Sequence, residues 1–467
     1  MSIAEQEFLP DLTLPKRKTR DSLVLQQETP KPEREDNKLK FGDRAAHQWY
    51  RFVLSFPPHL VREYVAKFEL NSHHQVLDPF CGTGTTVVEC KKLGIPAFRL
   101  EPNPVACFAS QTKLQWNVDP QKLLRHALII ADTANRRLEE YGFFDDDAYR
   151  LLERPVGTAV KLRALPDELS DLLLTNSISP IPLHKTMVLV ETMAQHHDDR
   201  FSSHERLALA NALVSGISNL HFGPEVGVGP AKSDAPVVSL WLDEVRAMAQ
   251  DLENLPRTKT AKAAVYQADA RDGATMLPAN SVDAVITSPP YPNEKDYTRT
   301  TRLESVLLGF IRSKQDLRNL KKHLVRSNTR GVYKADTDDA IVAGHPQIES
   351  IAAAIEKRRI DLNKDSGFER LYARVTKLYF GGMSRHLSEL RRVLRPGARL
   401  AYVVGDQASY LQVMIRTGQL LAGIAESLDY EVVGLDLFRT RLSTATKMQL
   451  REEVVILRWN GSKRGKT

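Results

Sequence analysis

The stretch Gln75-Val76-Leu77-Asp78-Pro79-Phe80-Cys81-Gly82-Thr83-Gly84-Thr85-Thr86 decides the fold class of this chain. A short apolar run of strand type meets two closely spaced glycines, and helical text, Thr85-Thr86-Val87-Val88-Glu89-Cys90-Lys91-Lys92-Leu93, follows at once. Gly82 and Gly84 carry no Cβ, so the backbone there can turn tightly and come close to a ligand. A helix starting at Thr85 aims its free amides the same way. A plain strand-to-helix turn accounts for the glycine pair as well, until the next apolar run is read. Ala97-Phe98-Arg99-Leu100 ends in Glu101, and an acidic residue about 20 positions after a glycine turn is placed to hold a ribose diol. The glycine pattern of a dinucleotide site is missing, and no Lys-Ser or Lys-Thr follows as a triphosphate loop requires. The site expected here takes a nucleoside-like cofactor.

Much further along, Val282-Asp283-Ala284-Val285-Ile286 reads as a second buried strand and runs into Thr287-Ser288-Pro289-Pro290-Tyr291. Two prolines fix φ near −65° and stiffen that turn. Ser-Pro-Pro-Tyr also occurs in surface loops and polyproline ligands. Here it follows an apolar strand, and Asp269 stands upstream at the end of Ala264-Val265-Tyr266-Gln267-Ala268. In open α/β sheets, ligands bind at the carboxyl ends of strands, where both turns would lie.

The two turns together resemble the S-adenosylmethionine-dependent amino-methyltransferases of DNA, whose cofactor loop reads Asp-Pro-Phe-x-Gly-x-Gly-Thr-Thr and whose catalytic loop is Ser, Asp or Asn before Pro-Pro-Tyr. The resemblance covers roughly 45 to 110, 262 to 310 and 370 to 460. It implies an α/β fold, a Rossmann-like doubly wound methyltransferase sheet, with two largely helical insertions. It implies S-adenosylmethionine as methyl donor and double-stranded DNA as partner, with the target base flipped out. Catalysis would fall to Ser288, Pro289, Pro290 and Tyr291: the Ser288 hydroxyl and Pro289 carbonyl accept the two N–H bonds of an exocyclic amine, and Tyr291 offers a stacking face. The cofactor-binding set would be Phe56, Asp78, Pro79, Phe80, Gly82, Gly84, Thr85, Thr86, Glu101, Asn103 and Asp269, with Asp269, or Asp272 beside it, on the adenine amine. Asp296-Tyr297-x-Arg299 resembles part of the serine-first subgroup and would hold the flipped nucleotide or its phosphate. Serine in first position leans toward cytosine N4 over adenine N6. Transfer-RNA guanine-N2 methyltransferases carry related loops, usually with Asp first, and a catalytically dead DNA-binding relative would show a broken loop, whereas both loops read intact.

Cysteine chemistry is not expected. Cys81, Cys90 and Cys107 are the three cysteines, none follows a proline, and each is read as a small packed hydrophobe. Their spacing offers neither a disulfide framework nor a zinc ligand set, so no metal is expected. The 467 residues carry a formal charge of +7, which favours an anionic partner. No apolar run suits a bilayer or a signal peptide, so a cytoplasmic protein without membrane association is expected, alone or with a restriction or defence partner.

The expected organisation is a flexible N-terminal arm (1–41), the cofactor-binding core (42–110), a helical insertion with possible target recognition (111–260), the catalytic core (261–310), a basic helical insertion (311–370), the C-terminal core (371–460) and a basic tail (461–467). Helix is predicted over 379–394, and a closing hairpin from Tyr430–Leu435 and Glu453–Trp459. The Gly-Pro-rich passage His221–Pro230 is a candidate for lining the cleft. The basic run of 311–370, including Arg312, Lys314, Arg318, Lys321, Lys322, Arg326, Arg330 and Lys334, reads as a phosphate-contact surface or a solvated helix face.

Overall fold

The computed structural model describes residues 37–52, 55–145, 161–222, 225–256, 263–293, 295–443 and 446–461. Its strands are β1 (Val76–Asp78), β2 (Ala97–Leu100), β3 (Leu220–Phe222), β4 (Val226–Val228), β5 (Ala263–Tyr266), β6 (Val282–Thr287), β7 (Leu394–Gly405), β8 (Glu431–Leu442) and β9 (Gln449–Trp459). The helices are α1 (Pro58–Lys67), α2 (Thr85–Leu93), α3 (Pro104–Thr112), α4 (Pro120–Glu140), α5 (Asp167–Ser170), α6 (Pro180–Gln195), α7 (Ser202–Ala212), α8 (Val237–Asn254), α9 (Tyr297–Thr300), α10 (Arg302–Leu307), α11 (Lys314–Lys322), α12 (Pro346–Asp361), α13 (Tyr372–Leu390) and α14 (Thr417–Ser427).

Seven strands make one sheet in the order β5-β2-β1-β6-β7-β9-β8. β5, β2, β1, β6 and β7 run parallel, and β9 and β8 close the sheet antiparallel, as the sequence predicts for the terminal hairpin. Alternation along the strands sends successive side chains to opposite faces. Val76, Ala284, Ile286, Ala401 and Val403 meet α1 and α2, while Leu77, Val285, Leu400, Tyr402 and Val404 meet α13 and α14. Both faces are therefore covered, which is the doubly wound arrangement. The helical insertion packs α4, α6, α7 and α8 into a third apolar cluster with Trp49, Val88, Val105 and Ala109.

Strand order reverses between β1 and β6. That is the switch point of a doubly wound sheet, where the turns after two adjacent strands diverge and leave a crevice. The glycine turn follows β1 and the proline turn follows β6, whose registers pair Val76 with Ala284 and Leu77 with Val285. Two hydrogen bonds tie the turns together. Buried Thr287 donates its hydroxyl to Asp78 Oδ1 at 2.5 Å, and Thr86 Oγ1 on α2 donates to the Ile286 carbonyl at 3.1 Å.

Several sequence expectations are revised here. Helix α13 begins at Tyr372 and stops at Leu390, because Val393 and Leu394 are buried under the sheet and Leu394 pairs with Val282, so pairing overrides the helical text. The passage from His221 forms a small antiparallel hairpin, β3 with β4, and none of its described residues reaches the cavity. Arg326 is buried against Asp336, and Lys321 pairs with Asp296, so part of the basic run of 311–370 is internal wiring rather than a free cationic face. The N-terminal arm lies outside the described residues up to 36, and Asn37 already lines the cavity. The tail falls outside them from 462 onward. No helix among the described residues is long and apolar enough to cross a membrane.

The tie between the turns is testable. Thr287→Val keeps shape and removes the hydroxyl, leaving the buried Asp78 carboxylate with one partner fewer, so unfolding free energy should fall by about 1–3 kcal/mol. Chemical denaturation reads this, and Thr287→Ser should restore most of it. An unchanged midpoint in the valine variant would mean that the turns are held by other contacts.

Candidate active site

Both turns open into one cavity of about 290 Å³. Phe56, Phe80, Gly82, Thr85, Glu101, Asn103 and Asp269 line it on the side of the glycine turn, and Ser288, Pro289, Pro290 and Tyr291 on the side of the proline turn. Asp78, Pro79, Gly84 and Thr86 do not line it. Asp78 is fully buried behind the wall, accepting from Thr287 Oγ1 and the Phe80 amide, and Thr86 spends its hydroxyl on β6. Gly84 sits at φ +95°, and a Cβ there would stand 2.9 Å from the Ser110 Cβ, so its close approach is to α3. At Gly82, φ +51°, the Phe52 ring is the neighbour at 3.9 Å.

Glu101 fixes the glycine-turn side. Its two carboxylate oxygens each accept a backbone amide at 2.8 Å, from Gly82 and from Asn103, so one carboxylate clamps the glycine turn to the end of β2. Burial outweighs those two bonds and raises its pKa to about 7. Asn103 accepts from the Val105 and Ala106 amides, capping α3, and donates to Thr301 Oγ1 at 3.1 Å. Its side chain is thus a helix cap as well as a piece of wall. Asp269 lines the cavity, while Asp272 pairs with Arg385 on an exposed face away from it. Arg271 holds Asp269 at 2.7 Å and reaches Asp338 at 2.6 Å, so the second insertion steadies the Asp269 wall of the cavity through a buried carboxylate–guanidinium–carboxylate chain. That insertion docks through Gly381 of α13, where a Cβ would stand 1.8 Å from the Asp338 carbonyl.

On the side of the proline turn, Ser288 Oγ donates to the Val403 carbonyl at 3.1 Å. Its only proton is committed, so its remaining lone pairs can act only as acceptors. Tyr291 lies against Gly405: a Cβ there would meet Tyr291 Cε2 at 2.9 Å and the Glu452 side chain at 3.2 Å. Asn293 takes the Ser327 carbonyl on its amide at 2.9 Å, and Asn328 Nδ2 donates to the Lys295 carbonyl at 3.1 Å, bringing the second insertion into the wall. Asp296 caps α9 through the Thr298 amide and pairs with Lys321 at 3.1 Å, which makes it a structural anchor of the loop. Tyr297 lines the cavity and Arg299 does not.

Sequence reading did not place at the cavity Phe52, the uncharged Leu324, Val325, Ser327 and Asn328 of the second insertion, or Phe438, Arg439, Arg441 and Glu452 on the terminal hairpin. Aromatic text before α1 and arginines spaced by two on β8 are the signals that pointed to them. All three cysteines are buried, and burial pushes their thiols up, Cys107 to about 11. Among the described residues no group of three or more His, Cys, Asp or Glu side chains could hold a metal ion.

No protein-family model matches the chain. Over most of its length it is similar to proteins named type II methyltransferases. It is 23% identical over 449 residues to M.BsoBI of Geobacillus stearothermophilus, spanning 89% of this chain and 84% of that protein. It is 22% identical over 413 residues to M.AvaI of Nostoc sp., spanning 83% and 79%. A segment of 103 residues is 36% identical to M.MjaII of Methanocaldococcus jannaschii, 22% of this chain and 18% of that protein. The mostly parallel, doubly wound α/β architecture is that of a Rossmann-like methyltransferase.

The buried Glu101 leaves a signature in stability. An unfolded glutamate releases its proton near its ordinary pKa, whereas the folded one keeps it until about 7. The folded state therefore binds more protons in that window, and stability falls as pH rises through it. Urea midpoints between pH 5 and 8 should fall less steeply for Glu101→Gln than for the wild type. Superimposable profiles would mean that Glu101 titrates normally.

Proposed function

We propose that this chain is a site-specific DNA methyltransferase that moves a methyl group from S-adenosylmethionine to the exocyclic amine of a base turned out of the duplex, cytosine N4 before adenine N6. One observation carries the reading: the glycine turn and the Ser-Pro-Pro-Tyr turn flank a single cavity at the switch point of the sheet. The similarity to proteins named type II methyltransferases supports it and favours a restriction-modification setting in the cytoplasm, with a cognate nuclease or defence partner.

The cofactor side fits such a ligand. Glu101 is a carboxylate held rigidly by two amides and desolvated enough that two donated ribose hydroxyls would relieve it. Asp269 stands at the end of the neighbouring strand for an adenine amine, and Phe56 and Phe80 give apolar walls. When bound, S-adenosylmethionine supplies an electrophilic methyl group on a sulfonium. Ser288 and the Pro289 carbonyl then receive the two N–H groups of the target amine, which localises the nitrogen lone pair and points it along the line of transfer. Tyr291, braced from behind by Gly405, offers the face on which the base stacks. The Pro-Pro constraint keeps both acceptors from relaxing away, so most of the rate comes from positioning.

Long-read sequencing of DNA from cells expressing the chain should reveal one methylated motif, carried on cytosine N4, that is absent with Tyr291→Ala. Methyl groups on adenine N6 would move the base assignment, and methylated transfer RNA with clean DNA would end the reading. Gly405→Ala tests the bracing: its new Cβ displaces the Tyr291 ring, so kcat should drop at least tenfold while S-adenosylmethionine affinity stays within a factor of two. Loss of cofactor affinity instead would place the effect on the fold.

A further inference from the structure

β7 ends at Gly405, where it pairs with Glu452, but β8 and β9 go on pairing past that point through Thr440 with Arg451, Arg441 with Leu450 and Leu442 with Gln449. The Ser443 amide extends the ladder to the Met448 carbonyl at 2.9 Å. Beyond Arg451 the hairpin is thus a two-stranded ribbon without a neighbouring strand, an element that is marginal in water by itself. It begins at the cavity, since Arg439, Arg441 and Glu452 line the mouth.

The two strands flanking the tip each carry an exposed apolar side chain, Leu442 at 63% and Met448 at 38% exposure. Strand alternation sets them on opposite faces of the ribbon, Met448 on the cavity-facing side with Arg441 and Leu450, Leu442 on the other. A ribbon lying on a surface would be apolar on one face. Apolar side chains on both faces of a tip suit a finger inserted between two surfaces. Its charge is basic. Arg439 saturates Glu452 with bonds at 2.6 and 3.0 Å, leaving Arg441 loosely held at 3.6 Å, and Lys447 is exposed with no ion pair among the described residues.

We propose that the tip of the β8–β9 hairpin is a duplex-penetrating finger, with Leu442 and Met448 filling the base stack beside the extruded nucleotide and Arg441 and Lys447 gripping the flanking phosphates. This rests on the DNA methyltransferase reading. Apolar wedges of this kind lower the cost of unstacking, and cations at phosphates release counterions.

The test compares the mapped target site as a fully paired duplex with the same duplex carrying an abasic position opposite the target base, where extrusion is nearly free. With a labelled methyl donor, Leu442→Ser/Met448→Ser should be at least tenfold slower than wild type on the paired duplex and within threefold on the abasic one. Arg441→Ala/Lys447→Ala should flatten the dependence of duplex binding on salt. The proposal fails if the serine variant matches wild type on both duplexes, or loses both equally. Wild-type protein that methylates neither duplex would end the parent reading as well, so the two failures are distinguishable.

Discussion

A hydrogen bond buried under the sheet edge, from the Thr287 hydroxyl to Asp78 Oδ1, couples the two halves of the site. Everything at the cavity depends on the adjacency that this bond reports. β1 and β6 are neighbours in the sheet although they are distant in the chain, and their carboxyl ends diverge into the only part of such a sheet where backbone is free to meet a ligand. Asp78 meets this role at a cost. Burial lifts its pKa to about 6, and its second oxygen has no partner among the described residues. A carboxylate with one lone pair spent on Thr287 and another on the Phe80 amide is a connector between turns.

From that connection the division of labour follows. The glycine turn, clamped by Glu101, belongs to rigid parallel sheet, and the proline turn is rigid by its own covalent structure. The insertions contribute by bracing. One supplies a helical cluster behind α2 and α3, and the other sends Asp338 to Arg271 and Asn328 to the Lys295 carbonyl. Such outer contacts hold a positioned site more firmly than loops alone could, which suits chemistry that depends on orientation.

Charges of both signs line the cavity. Inside is the Glu101 carboxyl, whose pKa burial raises, together with uncharged acceptors at Ser288 and Pro289. Cations line the cavity as well, on the terminal hairpin and in Lys295, whose pKa burial lowers. The formal charge of +7 is modest, so it is the placement of the arginines and lysines, more than their number, that would favour an anionic polymer over a free nucleoside.

The elements around the switch point were legible in the chain because short apolar runs bounded by Gly, Pro and Asp are local signals: 85–93 and 97–100 emerge with the bounds expected of them. The residue types at both turns were legible for the same reason. What local text could not carry was the facing of side chains. Gly84 looked like a ligand-side glycine and serves α3, Asp78 looked like a cofactor contact and serves β6, and Leu394 looked helical and joins a strand. Nor could it place Phe52, Asn328 or Arg441 at the cavity, since each arrives there through contacts made by a distant element. A sequence specifies which segments turn and which are buried. Only the packed sheet decides which of two available neighbours a side chain meets, because that depends on strand order and register, which are set by the whole core at once.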